Sequence, residues 1–197
     1  LLFLLCLAAL YLRLRGLSQL HLSGDDCLHL ETAIISTVNG VVADVLAWDT
    51  HPPLYYVILH FFLLWIPPSS PIVPKLLALL CGIALVPAGY LLGRAVSGQR
   101  APGLFLAALL TISGHLIMQS QVVRHYTLLL LFQLVLLTAF FAPRQRRSLL
   151  YFASAALVVS THFIAALTVF ATGIAGLVDD LRRREKPARI IGWLVAH

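Results

Sequence analysis

The sequence predicts an all-α protein built as a polytopic transmembrane helical bundle. Of its 197 residues, 60% are hydrophobic and only 11% are charged, whereas a soluble domain carries about 25% charged residues. Long apolar runs recur along the chain, and polar segments, several of them rich in arginine, separate these runs. A deficit of charge together with repeated apolar runs is typical of helical integral membrane proteins.

The predicted elements follow the apolar runs. We expect residues 1–197 to form a single transmembrane domain, the N-terminal part of a longer protein, because the chain starts and stops inside apolar runs. The polar residues 13–53 form a loop that carries interfacial helices, and the short run at 54–66 is either re-entrant or a short span. Spans are predicted near residues 1–12 (where a signal-peptide core is the alternative), 72–92, 103–119, 126–141, 149–160, 163–178 and 190–197.

The distribution of basic residues predicts the orientation of these spans. Residues 93–102, 143–148 and 179–189 hold ten of the fourteen lysines and arginines. The positive-inside rule places these three segments in the cytoplasm. The loop at 13–53 and the short connections on the other side of the spans then lie outside. The net charge of +6 is therefore a feature of topology and gives no indication of a nucleic-acid partner.

This topology places most of the acidic side chains and most of the histidines at or near the outer face. The side chains expected at or near the outer face are His21, Asp25, Asp26, His29, Glu31, Asp44, Asp49, His51, Arg124, His125 and His162.

The cysteines and nearby histidines predict neither disulfides nor a metal site. The three cysteines are too few for a disulfide framework. His21, Cys27 and His29 match no closed zinc pattern, so no metal ligands are predicted.

An acidic pair, Asp25 and Asp26, stands in the stretch LSGDDCLHLETA. Either aspartate can cap a helix that starts after Gly24 and lies along the membrane surface. Two carboxylates at the edge of a membrane can also supply a general base or a cation site. The pair alone does not decide between a capping role and a catalytic role.

The stretch WDTHPPLYY contains a more specific signal. Proline is tolerated in the first turn of a helix, and the residue before a proline is held extended. Pro52 and Pro53 should therefore fix His51 at the start of an apolar helix. The alternative is an ordinary helix start with an incidental histidine.

Two further stretches bring polar groups to the same level. In QSQVVRHYTLLLL, Arg124 offers a planar fork suited to a phosphate, and Tyr126 offers a hydroxyl donor. The alternative for Arg124 is snorkelling to lipid phosphates. In STHF, His162 lies where two short spans should turn at the outside, although polarity at a helix end explains it equally well.

The order of these motifs resembles the GT-C membrane glycosyltransferases, particularly the dolichyl-phosphate-mannose-protein mannosyltransferase and aminoarabinose-transferase-like group. The order is an acidic pair after the first helix, then D-x-HPP-L-Y-Y, then PKLLALLCG, then SQ-x-x-R-x-Y-x-L. The resemblance implies a transmembrane bundle of GT-C type in a bacterial inner or plasma membrane, with its active site on the extracytoplasmic side. It also implies a polyprenyl-phosphate sugar donor and a glycan, lipid or protein acceptor.

The resemblance also implies roles for particular residues. Asp25 stands where the family has its reaction-centre carboxylate, and Asp26 stands where glutamate is usual. His51 matches a polar residue that faces the donor phosphate, and Arg124 matches an arginine common in bacterial members. Leu130 stands where the mannosyltransferases and aminoarabinose transferases have aspartate, so the chain is not a close match to either.

The chemistry of the residues fits the reaction that the resemblance implies. Transfer of a sugar from a lipid phosphate needs a base for the acceptor hydroxyl, for which Asp25 is the candidate with Asp26 beside it. It also needs groups that stabilise the departing phosphate, for which Arg124, His51, Tyr126 and His162 are the candidates. No cofactor is required by the sequence, although a divalent cation is compatible with the acidic pair.

Two other functions compete with a transferase. A transporter would place ionisable residues near the membrane midplane, often within broken helices. The runs at 72–92, 126–141 and 163–178 carry no charge beyond Lys75, which favours an interfacial site. A non-catalytic membrane subunit is the third alternative.

Overall fold

The described part of the structure, a computed structural model, is all α-helical. It covers residues 1–142 and 147–182, and these contain ten α-helices and no strands. The helices are α1 (Leu2–Leu14), α2 (Gly24–Ala33), α3 (Val38–Trp48), α4 (Leu54–Trp65), α5 (Leu76–Ser97), α6 (Arg100–Ile112), α7 (Gly114–Gln119), α8 (Tyr126–Phe141), α9 (Arg147–Thr161) and α10 (Ala166–Arg182).

The long helix α5 lies at the centre of the bundle. It packs against α1, α6 and α8, and α8 in turn packs against α9. A 3₁₀ turn at Val73–Lys75 leads into α5, and Gly98, with a φ of +70°, ends it in the left-handed conformation that favours glycine. Within the described residues, only the helical stretch Val73–Ser97 is long and apolar enough to cross a membrane. The prediction of several spans therefore stays a prediction.

Helices α5 and α6 approach each other very closely. A Cβ added at Gly93 would lie 2.6 Å from the Cα of Gly103 and 2.8 Å from the carbonyl oxygen of Pro102. Small residues allow helix backbones to come this near, as they do in membrane helix pairs. The crossing therefore requires glycine at position 93.

The polar segment predicted as an external loop folds into α2 and α3. The Ser23 hydroxyl accepts from the backbone N–H of Asp26 and the Asp26 carboxylate accepts from the N–H of Ser23, which makes a capping box. The Thr37 hydroxyl caps α3 in a similar way by accepting from the N–H of Gly40. Helix α4 packs against both α2 and α3.

Helix α4 matches the predicted run at 54–66 and contributes much of the core. Its buried Tyr55, Tyr56 and Leu59 pack in one cluster with Val45 of α3 and Leu77 of α5. The helix starts after Pro53 and ends at Trp65, before the prolines at 67 and 68. The two alternatives for this segment, a re-entrant helix and a short span, stay predictions.

One predicted element is divided. The sequence predicts a single helix over residues 103–119, but the structure has α6 and α7 with a break at Ser113. Ser113 has a ψ of 109°, which is extended, and its hydroxyl accepts from the N–H of Leu116. A serine that caps the following turn offers its backbone an alternative to continuing the helix. The predicted span at 190–197 lies outside the described residues.

Most of the other helices coincide with apolar runs. Helix α8 has the predicted bounds 126–141, and α1, α9 and α10 overlap the predicted 1–12, 149–160 and 163–178. Large apolar side chains are exposed around the outside of the bundle. Among them are Phe3, Leu80, Phe105, Leu149 and Phe170.

Candidate functional site

Four separate segments of the chain meet beside the N-terminus of α2. They are the first turn of α2, the residues just before α4, the turn that leads into α8, and the connection between α9 and α10. The prolines at 52 and 53 precede α4, and the break at Ser113 precedes the short helix α7 and the turn into α8. The folding of these four segments brings side chains that are far apart in sequence into contact.

Asp26 is buried and holds two of these segments together. Its side chain is 1% exposed. One carboxylate oxygen accepts from the backbone N–H and hydroxyl of Ser23, and the other accepts from the backbone N–H of Val123 at 2.9 Å. Asp26 therefore ties the start of α2 to the turn before α8, and its oxygens are already engaged by the protein.

Asp25 is exposed and pairs with Arg124. The Arg124 guanidinium donates through Nη2 to Asp25 Oδ2, and its Nε lies 3.7 Å from Asp26 Oδ1. The hydrogen bond from Arg124, together with its positive charge, lowers the pKa of Asp25 below its usual range. The predicted base and the predicted phosphate-binding arginine are therefore in direct contact.

Asp49 orients His51 and Tyr56. His51 Nδ1 lies 2.7 Å from Asp49 Oδ1, and Tyr56 donates its hydroxyl to Asp49 Oδ2. Burial works against ionisation of Asp49, but the hydrogen bonds from Tyr56 and His51 outweigh it and lower its pKa. An ionised Asp49 accepts a hydrogen bond from His51 Nδ1, which leaves Nε2 of that ring as the unprotonated nitrogen when the ring is neutral.

Three histidines form a cluster next to this pair. The ring centre of His51 lies 4.6 Å from that of His125 and 4.8 Å from that of His162, and the His125 and His162 centres are 5.2 Å apart. His125 is 2% exposed, and its Nε2 has no hydrogen-bond partner. Burial, followed by the charges of His51 and His162, lowers the pKa of His125 to about 3, so this ring is neutral at pH 7.

Aromatic rings connect the histidine cluster to the acidic pair. His29 stacks on Tyr56 with ring centres 5.1 Å apart, and its Nδ1 lies 2.5 Å from the carbonyl oxygen of Asp25. Tyr55 packs edge-on against both His29 and His125. Burial lowers the pKa of His29 below its ordinary value.

The remaining predicted residues lie at the same place. The Tyr126 ring centre is 4.4 Å from that of His125, and the Tyr126 side chain is exposed. His162 Nδ1 accepts from the backbone N–H of Ile164 at 3.2 Å. All six predicted site residues therefore belong to one connected region, while their chemical roles stay predictions.

Sequence reasoning did not assign four residues of this region to the site. Asp49, Tyr56 and His29 orient or pack against the predicted groups, and His125 lies within the histidine cluster. Asp49 stands two residues before His51, which is a local signal for a carboxylate–histidine pair. The contacts of His125 with His51 and His162 join segments that are distant in sequence, so no spacing of residues in the sequence predicts them.

One ligand nitrogen from each of His51, His125 and His162 lies within 4.8 Å of the other two. Comparisons with protein-family models, with curated proteins and with solved structures found no match.

Proposed function

We propose that this protein is a membrane glycosyltransferase of GT-C type, which moves a sugar from a polyprenyl-phosphate donor to an acceptor hydroxyl at the extracytoplasmic face. The contact between Arg124 and Asp25 carries the proposal. In this contact the group best suited to bind a phosphate lies beside the group best suited to accept a proton.

Because Asp25 and Arg124 form an ion pair, binding of the donor to Arg124 would make the Asp25 carboxylate a stronger base. A donor phosphate competes with Asp25 for the Arg124 guanidinium, because a planar fork binds either anion. When Arg124 turns to the phosphate, the pKa of Asp25 rises towards its ordinary value and the carboxylate becomes a better base. The acceptor oxygen then bonds to the sugar carbon and loses its proton to Asp25, while the bond from that carbon to the phosphate oxygen breaks and the phosphate departs towards Arg124.

The surrounding residues position these two groups. Asp26 fixes the backbone next to Arg124 through the N–H of Val123, so its part in the reaction is to hold the arginine in place. His162 and Tyr126 lie in the neighbouring region and offer further donors to the phosphate, whereas His51 offers its Nε2 as a donor only when its ring is doubly protonated, because its Nδ1–H is donated to Asp49. Hydrogen-bond donors that already surround the departing anion stabilise its negative charge, and the protein does not have to reorganise as that charge develops.

The surface of the bundle supports a membrane location. Phe3, Leu80, Phe105, Leu149 and Phe170 are all exposed, and they belong to five different helices. Extensive exposed apolar surface is typical of contact with lipid or with another protein. We propose that the bundle spans a bacterial inner or plasma membrane several times, with a glycan, lipid or protein as acceptor.

The test is sugar transfer by an Asp25→Asn variant of the full-length protein. Membranes are incubated with a panel of radiolabelled polyprenyl-phosphate sugars, and label is followed into acceptors. We expect the variant to fold and insert but to lose about 10²–10⁴-fold in rate, the usual contribution of a general base. Glu31→Gln, an exposed change on the same helix, is the matched control and should retain the rate.

Two results would contradict the proposal. One is unchanged transfer by Asp25→Asn. The other is uptake of a labelled solute into sealed vesicles by the wild-type protein, lost in the same variant, without any sugar transfer.

A further inference from the structure

The histidine cluster draws its members from three distant parts of the chain. His51 stands before α4, His125 before α8, and His162 between α9 and α10. One ligand nitrogen from each lies within 4.8 Å of the others. Three imidazoles gathered in this way can offer their lone pairs to a single ion.

The cluster contains a buried nitrogen that no protein group satisfies. His125 is 2% exposed and its Nε2 has no hydrogen-bond partner. A buried polar atom without a partner is destabilising, because it has lost its hydrogen bonds to water and gained none from the protein. We propose that His51, His125 and His162 bind a divalent transition-metal ion, for which zinc is the best match.

The protein orients one ligand through a second layer of contacts. Asp49 accepts from His51 Nδ1, and Tyr56 donates to the other oxygen of Asp49. A carboxylate on the far nitrogen of a histidine is a recurrent support of zinc ligands, because it fixes the tautomer and the ring orientation. Nε2 of His51 is the nitrogen left for the metal.

Metal binding requires a small contraction. Zn–N bonds of about 2.0–2.1 Å place tetrahedral ligand nitrogens about 3.3 Å apart, so a pair at the 4.8 Å limit must close by about 1.5 Å. His125 is buried, whereas His51 and His162 are partly exposed and have room to move. His162 must also give up the bond from the Ile164 N–H, since a metal-bound ring uses Nδ1 as a ligand or carries a proton there.

The ligand type predicts which ions bind. Imidazole suits zinc and its neighbours in the transition series, whereas magnesium and calcium prefer oxygen ligands. Three protein ligands leave a fourth position for water or for an oxygen of a phosphate. The suggestion that the donor phosphate occupies this position rests on the proposed function. The proposal of the metal site itself does not depend on that function.

The experiment measures metal binding without any substrate. The full-length protein is purified in detergent, stripped with a chelator, and titrated with Zn²⁺ and Mg²⁺ in equilibrium dialysis, and Co²⁺ is used as a spectroscopic probe. We expect one Zn²⁺ per chain, no competition by Mg²⁺, and the intense visible absorption of four-coordinate Co²⁺. His51→Ala and His162→Ala should each weaken Zn²⁺ binding by more than about 100-fold, and Asp49→Asn by about 10–100-fold.

Exposed histidines elsewhere provide matched controls. His21→Ala and His115→Ala should leave the Zn²⁺ affinity unchanged. Folding of each variant is checked by its far-ultraviolet circular dichroism. The proposal is overturned if wild-type protein binds no Zn²⁺, or if His51→Ala and His162→Ala variants that remain folded bind it as tightly as wild type. Metal binding without sugar transfer would leave this site standing and remove the proposed function.

Discussion

Asp25 and Asp26 are consecutive residues with different surroundings. Asp25 is exposed and pairs with Arg124, whereas Asp26 is buried and accepts from Ser23 and Val123. The difference arises because successive side chains of a helix point about 100° apart, so one faces the bundle and the other faces outwards. Only the exposed carboxylate is free to exchange its partner for a substrate.

The Arg124–Asp25 pair should make stability depend on pH. Because the folded-state pKa of Asp25 is lowered, the pair stabilises the protein above the ordinary aspartate pKa of about 3.9, and this contribution is lost as pH falls through the lowered value. Arg124→Gln should therefore lower the stability at pH 7. It should also reduce the loss of stability that the protein shows as the pH falls into the acid range. Thermal unfolding in detergent between about pH 2 and pH 7 measures this.

Asp25→Asn serves as the control for that measurement. It should flatten the same part of the pH curve, and the double variant should add no further flattening, because both changes remove one interaction. A parallel shift of the whole curve by Arg124→Gln, with its acid slope intact, would show that the pair does not titrate as described.

Among the helices, the packing of α5 on α6 depends on the absence of side chains at their crossing. Gly93 faces Gly103 and Pro102, and the atoms that an added Cβ would meet belong to the backbone. Backbone atoms have no alternative rotamer, so the helices themselves would have to separate. The break at Ser113 then follows α6 and leads to the turn that carries Arg124.

We expect Gly93→Ala to lower the free energy of unfolding by about 1–3 kcal/mol, the usual cost of overpacking. Gly173→Ala is the matched control, since a Cβ at position 173 of α10 meets nothing within 4 Å. That change should raise stability by about 0.5–1 kcal/mol, because alanine favours a helix over glycine. Unfolding monitored by circular dichroism in detergent compares the two, and equal effects would contradict the close crossing.

For the molecule as a whole, the proposed orientation in a membrane decides which face carries the site. The basic segment that contains Arg94 and Arg100 is predicted to lie inside, whereas α2 with Asp25 is predicted to lie outside. Helix α5 with the turn before it is the stretch long and apolar enough to join the two sides among the described residues.

Cysteine labelling in intact cells tests this orientation. Cys27 is exposed on α2, so a membrane-impermeant maleimide should label it from outside. In a Cys27→Ser background, a Gln99→Cys substitution places an exposed thiol after α5, which should react only after the membrane is permeabilised. The reverse pattern would place the candidate site in the cytoplasm.

Much of the helical organisation was predictable from the apolar runs. The bounds of α8 agree with the predicted run, and α4 matches the run before Pro67, because proline and polar residues end helices for local reasons. The break at Ser113 was not predicted, since an apolar run shows no change of composition there. For the site, the sequence predicted Asp25, Asp26, His51, Arg124, Tyr126 and His162, and these six residues lie in one region of the fold, while their chemical roles stay predictions.

Hydrophobic runs, prolines and acidic pairs act locally, so the amino-acid sequence alone predicted the helical class and the residues that are able to take part in chemistry. The sequence did not predict the partners of those residues. The contacts of Arg124 with Asp25, of Val123 with Asp26, and of His125 with His51 and His162 form only when the chain is folded. Each of these contacts depends on how helices distant in sequence pack, and no local pattern encodes that packing.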